Sequence, residues 1–364
     1  MGEKQPSILP IIVFLISTMI GVGIVTLPRE TASIVGQPNM WLSIIPGAAI
    51  AFLNGVLIFL LVKRYPDLNL FDFAPRIIGK WLGKAFSIVF VAYAIAISAY
   101  VIRTSAEIVN YYLLNNTPKY IVILTLILAS MYLVSCGLTN IIFFFQLYFP
   151  IILLMFFLLT VLSIKNIEPT HLLPIFEFDH FAILKGVNST FFSFVGYELI
   201  MILSSYQSMT KWKSMNWTLG ISIGSVCVIY ILFFILNIGI LSIQELKVIT
   251  FPTIEMAKSL EFKGFFFERF ELVFLFGWII TIFTTVSAYY YSAFLGLCRT
   301  FNCKKNIFMN AAVGFVIFAL SLQPEGVTEL FDSAKYLNYL SYAALIGVPL
   351  ILLVVSLIKG VERR

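Results

Sequence analysis

Apolar residues run through this chain in blocks near or above the length that crosses a bilayer, about 17–25 residues, with polar residues gathered between them. The uninterrupted blocks are Trp41–Val62, Ala85–Ile102, Tyr120–Cys136, Ile141–Ile164, Trp217–Ile243, Leu272–Cys298 and Tyr336–Ile358. Ile307–Leu322 is shorter and is bounded by Asn306 and by Gln323-Pro324. Two more are interrupted: Ile8–Val35 by a glycine pair and Pro28-Arg29-Glu30, and Ile183–Ser208 by Gly196 and Glu198. Each block predicts a helix, which gives an all-α integral membrane protein of ten transmembrane helices. No small-residue cleavage site follows the first apolar block, so it is expected to span rather than to be removed as a signal.

Composition agrees with the pattern. Of 364 residues, 60% are hydrophobic and 12% charged, whereas a soluble domain carries about 45–50% apolar and about 25% charged residues. A water-soluble enzyme is excluded on that ratio. The net charge is +6, but the basic residues form no patch of the size nucleic-acid binding needs. The expected partner is the lipid bilayer and not nucleic acid. The basic residues set topology instead. With the N-terminus inside, Lys4, Lys63, Arg64, Arg76, Lys80, Lys84, Lys211, Lys213, Arg299, Lys304, Lys305, Lys359, Arg363 and Arg364 fall on the cytoplasmic side. Fewer fall outside, so both termini are expected in the cytoplasm. Cys136, Cys227, Cys298 and Cys303 show no metal-ligand spacing, and His171 and His180 share one polar connection. No catalytic residues, metal or cofactor are expected.

The interruptions carry the information. Span 1 contains Gly21-Val22-Gly23, and each glycine weakens a helix by about 1 kcal/mol relative to alanine. Span 6 contains Gly196 and then Glu198; an ionisable side chain facing lipid at mid-depth costs about 2.5–3.5 kcal/mol on insertion scales. Either glycine feature alone is as well explained by close helix packing. Their placement in the first and sixth of ten spans predicts a five-plus-five inverted repeat, residues 8–164 and 183–358 within a single domain 1–364. Broken helices in corresponding positions point to a central site.

The segments Gly21-Val22-Gly23 and Phe191-Phe192-Ser193-Phe194-Val195-Gly196-Tyr197-Glu198 resemble those of the amino acid–polyamine–organocation transporter superfamily, whose fold is LeuT-like. The chain is more closely similar to the B subunits of spore germinant receptors. That match rests on Gly21 to Arg29, on Lys263-Gly264-Phe265-Phe266-Phe267-Glu268-Arg269-Phe270-Glu271, and on Trp278-Ile279-Ile280 followed by Phe283-Thr284-Thr285. The resemblance implies a nutrient-sensing subunit in the inner membrane of the endospore. It also implies partner A and C subunits, one a membrane protein with a large soluble part and the other a lipoprotein. Small amino acids, sugars or nucleosides would be the nutrients. A permease built on the same fold, or a passive pore subunit, remains an alternative reading.

At the break in span 1 the amides of Val22, Gly23 and Ile24 are expected to offer partial positive charge to a carboxylate, with Gly21 giving room. Carbonyls near Met19, Ile20, Phe194 and Val195 are expected to accept from an amine or hydroxyl. Gly196, Tyr197 and Glu198 complete the second break. Glu198 is expected to cap freed amides there or to meet a proton or a substrate amine. Tyr93, Ile97 and Tyr100 recur at helical spacing in span 3. Thr284, Thr285, Ser287, Ala288 and Tyr291 form a candidate facing wall in span 8. Arg103 and Glu107, four apart, are expected to pair, and Arg29 to snorkel outward or to form part of an external gate. Sodium coupling would draw on Thr284 and Thr285. Span 5 has Gln146 and no lysine, which argues against lysine-based proton coupling. A helix starting at the proline of Thr250-Phe251-Pro252 is expected between spans 7 and 8, as a lid or a partner interface.

Overall fold

The computed structural model describes residues 8–174, 179–204, 213–260 and 270–360. Those residues are helices and connections, with no strand among them. The chain begins with α1 (Leu9–Met19) and α2 (Gly23–Val35), bent by 51° where they meet. It continues through α3 (Ile44–Arg64), α4 (Leu70–Ile78), α5 (Lys80–Tyr112), α6 (Lys119–Ser135) and α7 (Leu138–Ser163). After α8 (His180–Ser193), a 3₁₀ turn at Tyr197–Leu199 leads into α9 (Ile200–Leu203), with a bend of 42°. The remaining elements are α10 (Lys213–Val248), α11 (Pro252–Lys258), α12 (Phe270–Thr300), α13 (Ile307–Ser321), α14 (Val327–Tyr342) and α15 (Val348–Ile358), the last two joined by a π turn at Ala343–Gly347.

Six helical stretches are long and apolar enough to cross a membrane, and the pairs α1–α2 and α8–α9 meet the same test when each is taken together. The apolar helices α6 and α13 are shorter, at 17 and 15 residues. The expected spans overlap these elements, that at Trp41–Val62 beginning in a 3₁₀ turn and that at Tyr336–Ile358 running through α14, the π turn and α15; Ser205–Ser208 lies outside the described residues. So do Lys263–Arg269 and the basic residues Lys4, Lys211, Arg363 and Arg364. The helices outrun the apolar blocks. Helix α5 starts at Lys80 and α14 at Val327, which places Asp332 and Lys335 on a helix rather than in a loop.

Burial ranks the elements. In the most apolar stretch of α5 and α12, 61% and 67% of residues are buried inside the protein, against 28% for α7. The two buried helices form the most extensive pairing in the bundle, while α7 turns much of its surface outward, where lipid solvates apolar side chains as well as protein does. The position of α11 follows from local chemistry. Pro252 sits in its first turn, where the missing amide is not needed, and Thr253 Oγ1 donates to the Ile24 carbonyl at 2.7 Å. The helix expected after Phe251 is thus present, packed against α2, α10 and α12.

Candidate functional site

The first break begins where Ile20 leaves helical geometry (φ −83°, ψ 84°). Glycine is favoured here by close approach. A Cβ on Gly21 would lie 3.0 Å from Thr285 Oγ1, and one on Gly23 would lie 3.0 Å from the Tyr230 hydroxyl and 3.1 Å from Ser193 Cβ. Carbonyls along this stretch are taken by side chains from distant elements. Thr284 donates to Ser17 O at 3.1 Å, Thr285 to Thr18 O at 3.0 Å, Tyr230 to Met19 O at 3.0 Å and Trp278 Nε1 to Gly21 O at 3.3 Å. The expectation of an open Met19 carbonyl is therefore corrected: the Tyr230 hydroxyl and the Gly21 amide both point at it. The donors differ. Among the described residues, the amides of Val22, Gly23 and Ile24 meet no main-chain acceptor. They form the N-terminal turn of α2, where orphan N–H groups and the helix dipole favour an anion.

The second break has its own acceptor. Gly196 adopts φ +134°, and a Cβ there would lie 3.0 Å from the Met19 amide nitrogen, so any side chain would be both strained and crowded. The Gly196 amide donates to Glu198 Oε2 at 2.7 Å. The other carboxylate oxygen, Oε1, accepts from Tyr289 at 2.6 Å and from Tyr93 at 2.8 Å. Glu198 is fully buried and cross-links the break to α5 and α12. A buried carboxylate is tolerable when its lone pairs are matched in this way.

A cavity of about 440 Å³ opens from the first break, within the range of small-molecule sites. Its inner end is formed by Thr18, Met19, Gly21, Val22, Gly23 and Val195, and α5 contributes Ile97, Tyr100 and Val101. The outer wall comes from Thr26, Arg29, Glu30 and Ser33 on α2, from Asn188, Ser189, Phe192 and Ser193 on α8, and from Phe331, Ala334, Lys335 and Asn338 on α14. Helix α12 presents Thr285 and Tyr289, one turn apart.

Several expected residues lie elsewhere. Ile20, Ile24, Phe194, Gly196, Tyr197 and Glu198 do not line the cavity, nor does Tyr93, which shares the Glu198 carboxylate with the lining residue Tyr289. Thr284 faces α1, and Ser287 and Ala288 are buried off the wall. Tyr291 is corrected more strongly: its ring lies 5.9 Å from the Lys305 ammonium at the opposite end of α12. Burial and the neighbouring Arg299 guanidinium push that ammonium below the usual lysine range. The wall of α12 is the 285/289 stripe, and Tyr289 was not anticipated. Nor were Glu30, the α8 polar pairs or the α14 face. Their signal is in the sequence, because Thr26, Arg29, Glu30 and Ser33 repeat at the spacing of one helix face, as do Phe331, Ala334, Lys335 and Asn338.

The intramembrane charges divide in two. The Arg29 guanidinium lies at the outer end of the cavity, 5.1 Å from the centre of the Phe331 ring. Arg103 Nη2 donates to Glu107 at 2.7 Å, and Lys119 donates to the same carboxylate at 2.9 Å. This pair ties α5 to α6 and takes no part in the cavity.

A helical membrane fold with two broken helices meeting at a central cavity is the LeuT-like transporter architecture. Two solved structures share it across nearly the whole chain. One is MhsT in complex with L-phenylalanine, with TM-score 0.67 and 13% identity over 98% of this chain and 90% of that one. The other is Mhp1, a nucleobase-cation-symport-1 family transporter, with TM-score 0.69 and 14% identity over 96% of this chain and 78% of that one. Residues 7–327 match the family described as Spore germination protein, and the chain belongs to that family. Its relatives include Spore germination protein YndE of Bacillus subtilis (strain 168), 31% identical over 94% of both chains. Spore germination protein A2 of the same organism is 30% identical over 94% of this chain and 93% of its own. Spore germination protein GerLB of Bacillus cereus is 27% identical over 94% and 92%. The chain is a multi-pass membrane protein of germination.

Proposed function

We propose that this chain is the B subunit of a spore germinant receptor and that its nutrient is a small amino acid. The nutrient's carboxylate caps the amides of Val22 and Gly23, the two of the three that line the cavity. One observation supports the reading: at the first break the Met19 and Gly21 carbonyls are engaged by a tyrosine hydroxyl and an indole while the amides of Val22 and Gly23 meet no main-chain acceptor, which favours an anionic group. MhsT, which shares this fold, was solved in complex with an amino acid, L-phenylalanine, and the cavity here has room for a side chain between α5, α8 and α14. Ten spans in two inverted repeats, 8–164 and 183–358, would place both termini in the cytoplasm and the chain in the inner membrane of the endospore.

Signalling needs only that the ligand bind two states of the bundle with different affinity; partner A and C subunits would register the shift. The test uses the purified chain in lipid nanodiscs and a panel of amino acids, glucose and inosine, read by calorimetry. Saturable binding of one amino acid supports the proposal, and binding confined to glucose or inosine contradicts it. Because both solved neighbours have the transporter architecture, a secondary permease is the alternative. Accumulation of the same amino acid in proteoliposomes holding this chain alone would favour that reading.

A further inference from the structure

A second cavity, of about 230 Å³, lies between α5, the end of α13 and α14. It shares Tyr100 with the first cavity, but its polar groups, Arg103, Gln323, Ser333 and Tyr336, belong to it alone. The rest of its wall is alanine, leucine and proline. It reaches the protein surface where Gln323 and Tyr336 are exposed. Its volume is below the range of about 300–1,000 Å³ usual for drug-sized ligands, which suits a short or narrow occupant.

Arg103 is the unusual member. It is 5% exposed, and a buried guanidinium has five N–H donors to satisfy. Only the bond to Glu107, at 2.7 Å, is short. The contacts to Ser321 O and Glu325 O are both 3.4 Å, and among the described residues Nε has no hydrogen-bond partner. Charge is unmatched as well as geometry. Glu107 accepts from both Arg103 and Lys119, so one carboxylate faces two cations and the cluster keeps a net positive charge. An under-satisfied buried cation beside an apolar cavity is unfavourable unless an acceptor completes it.

We infer that this cavity is a second binding site, for an amphipathic oxyanion whose head group meets Arg103 and whose apolar tail lies against α14 and the end of α13. Two sources carry that chemistry: the phosphate and acyl chain of a bilayer lipid, or a free carboxylic acid with a short alkyl tail. The inference stands apart from the nutrient reading, because no group of the first break takes part in it.

The experiment uses the full chain in detergent and octanoate as the probe, with octylammonium as the control of equal tail and opposite charge. Saturable octanoate binding is expected, weakened about tenfold or more in R103Q and abolished in S333W. In R103Q, Glu107 keeps Lys119 as a partner, whereas S333W fills the cavity and leaves the cation in place. A phosphatidylglycerol molecule retained by the chain on release from mixed nanodiscs, and displaced by octanoate, identifies the lipid source. Octanoate binding with no retained lipid identifies the free acid. Equal uptake of octanoate and octylammonium, or octanoate affinity unchanged in both variants, overturns the site.

Discussion

The two helix breaks meet at the same depth in the bundle and are completed in opposite ways. Between α8 and α9 the freed Gly196 amide is taken by Glu198, whose carboxylate is then held by Tyr93 and Tyr289. Between α1 and α2, among the described residues, no carboxylate of the chain is hydrogen-bonded to the Val22, Gly23 and Ile24 amides, while the Ser17, Thr18, Met19 and Gly21 carbonyls are engaged from α10 and α12. One break is thus closed by a carboxyl group of the chain, and in the proposed reading the carboxylate of a ligand closes the other. A glycine interruption alone does not make a ligand site; what decides is whether the chain supplies the missing partner itself.

Filling the open break should have the largest effect. Gly21→Leu would set a side chain against Thr285 Oγ1, 3.0 Å from the new Cβ, and into the cavity. Nutrient affinity measured by calorimetry should fall at least about 100-fold, or about 2.7 kcal/mol. Retained affinity would mean that the ligand binds elsewhere. At the closed break the effect should move from binding to stability. Glu198→Gln keeps one oxygen for the Gly196 amide but turns an NH2 towards the Tyr93 and Tyr289 hydroxyls that donate there, a buried mismatch worth about 1–3 kcal/mol. The melting temperature should fall while nutrient affinity stays within about threefold. A large affinity loss without destabilisation would instead make Glu198 a ligand contact.

Two smaller changes refine the contrast. Thr285→Val keeps the shape of the wall but removes the donor to Thr18 O, a loss of about 1 kcal/mol that should appear in thermal stability first. Unchanged stability would indicate that water replaces the hydroxyl. Arg29→Gln removes the stacking on Phe331 at 5.1 Å, worth about 0.5–1 kcal/mol at an exposed site. Stopped-flow measurements should show nutrient release a few times faster with little change in association. An unaltered release rate would remove Arg29 from any gating role.

Much of the fold was legible in the chain because a bilayer forces apolar residues into long blocks and penalises every exception. That is why Gly21, Gly23, Gly196 and Glu198 stood out. The site was less legible for two reasons. The partners of the break carbonyls, Tyr230 and Trp278, come from helices more than 200 positions away, and no local pattern states which hydroxyl closes which carbonyl. The outer wall failed differently. Phe331, Ala334 and Lys335 lie on a helix that starts at Val327, before the apolar block at Tyr336, whereas the wall residues of α2 and α8 lie inside apolar blocks, where hydropathy does not say which face lines a cavity. Along α12 the choice between Tyr289 and Tyr291 depended on helix rotation, and two residues of offset carried the ring from the cavity wall to Lys305.

The most direct measurement compares the two breaks in one sample. With isotope-labelled glycine in the nanodisc-embedded chain, the amide resonances of Gly23 and Gly196 can be followed as the amino acid is added. The open-break account predicts a saturable downfield shift at Gly23, reproduced by no amide or decarboxylated analogue of the ligand, and no shift at Gly196. A shift at Gly196 with Gly23 unmoved would contradict it.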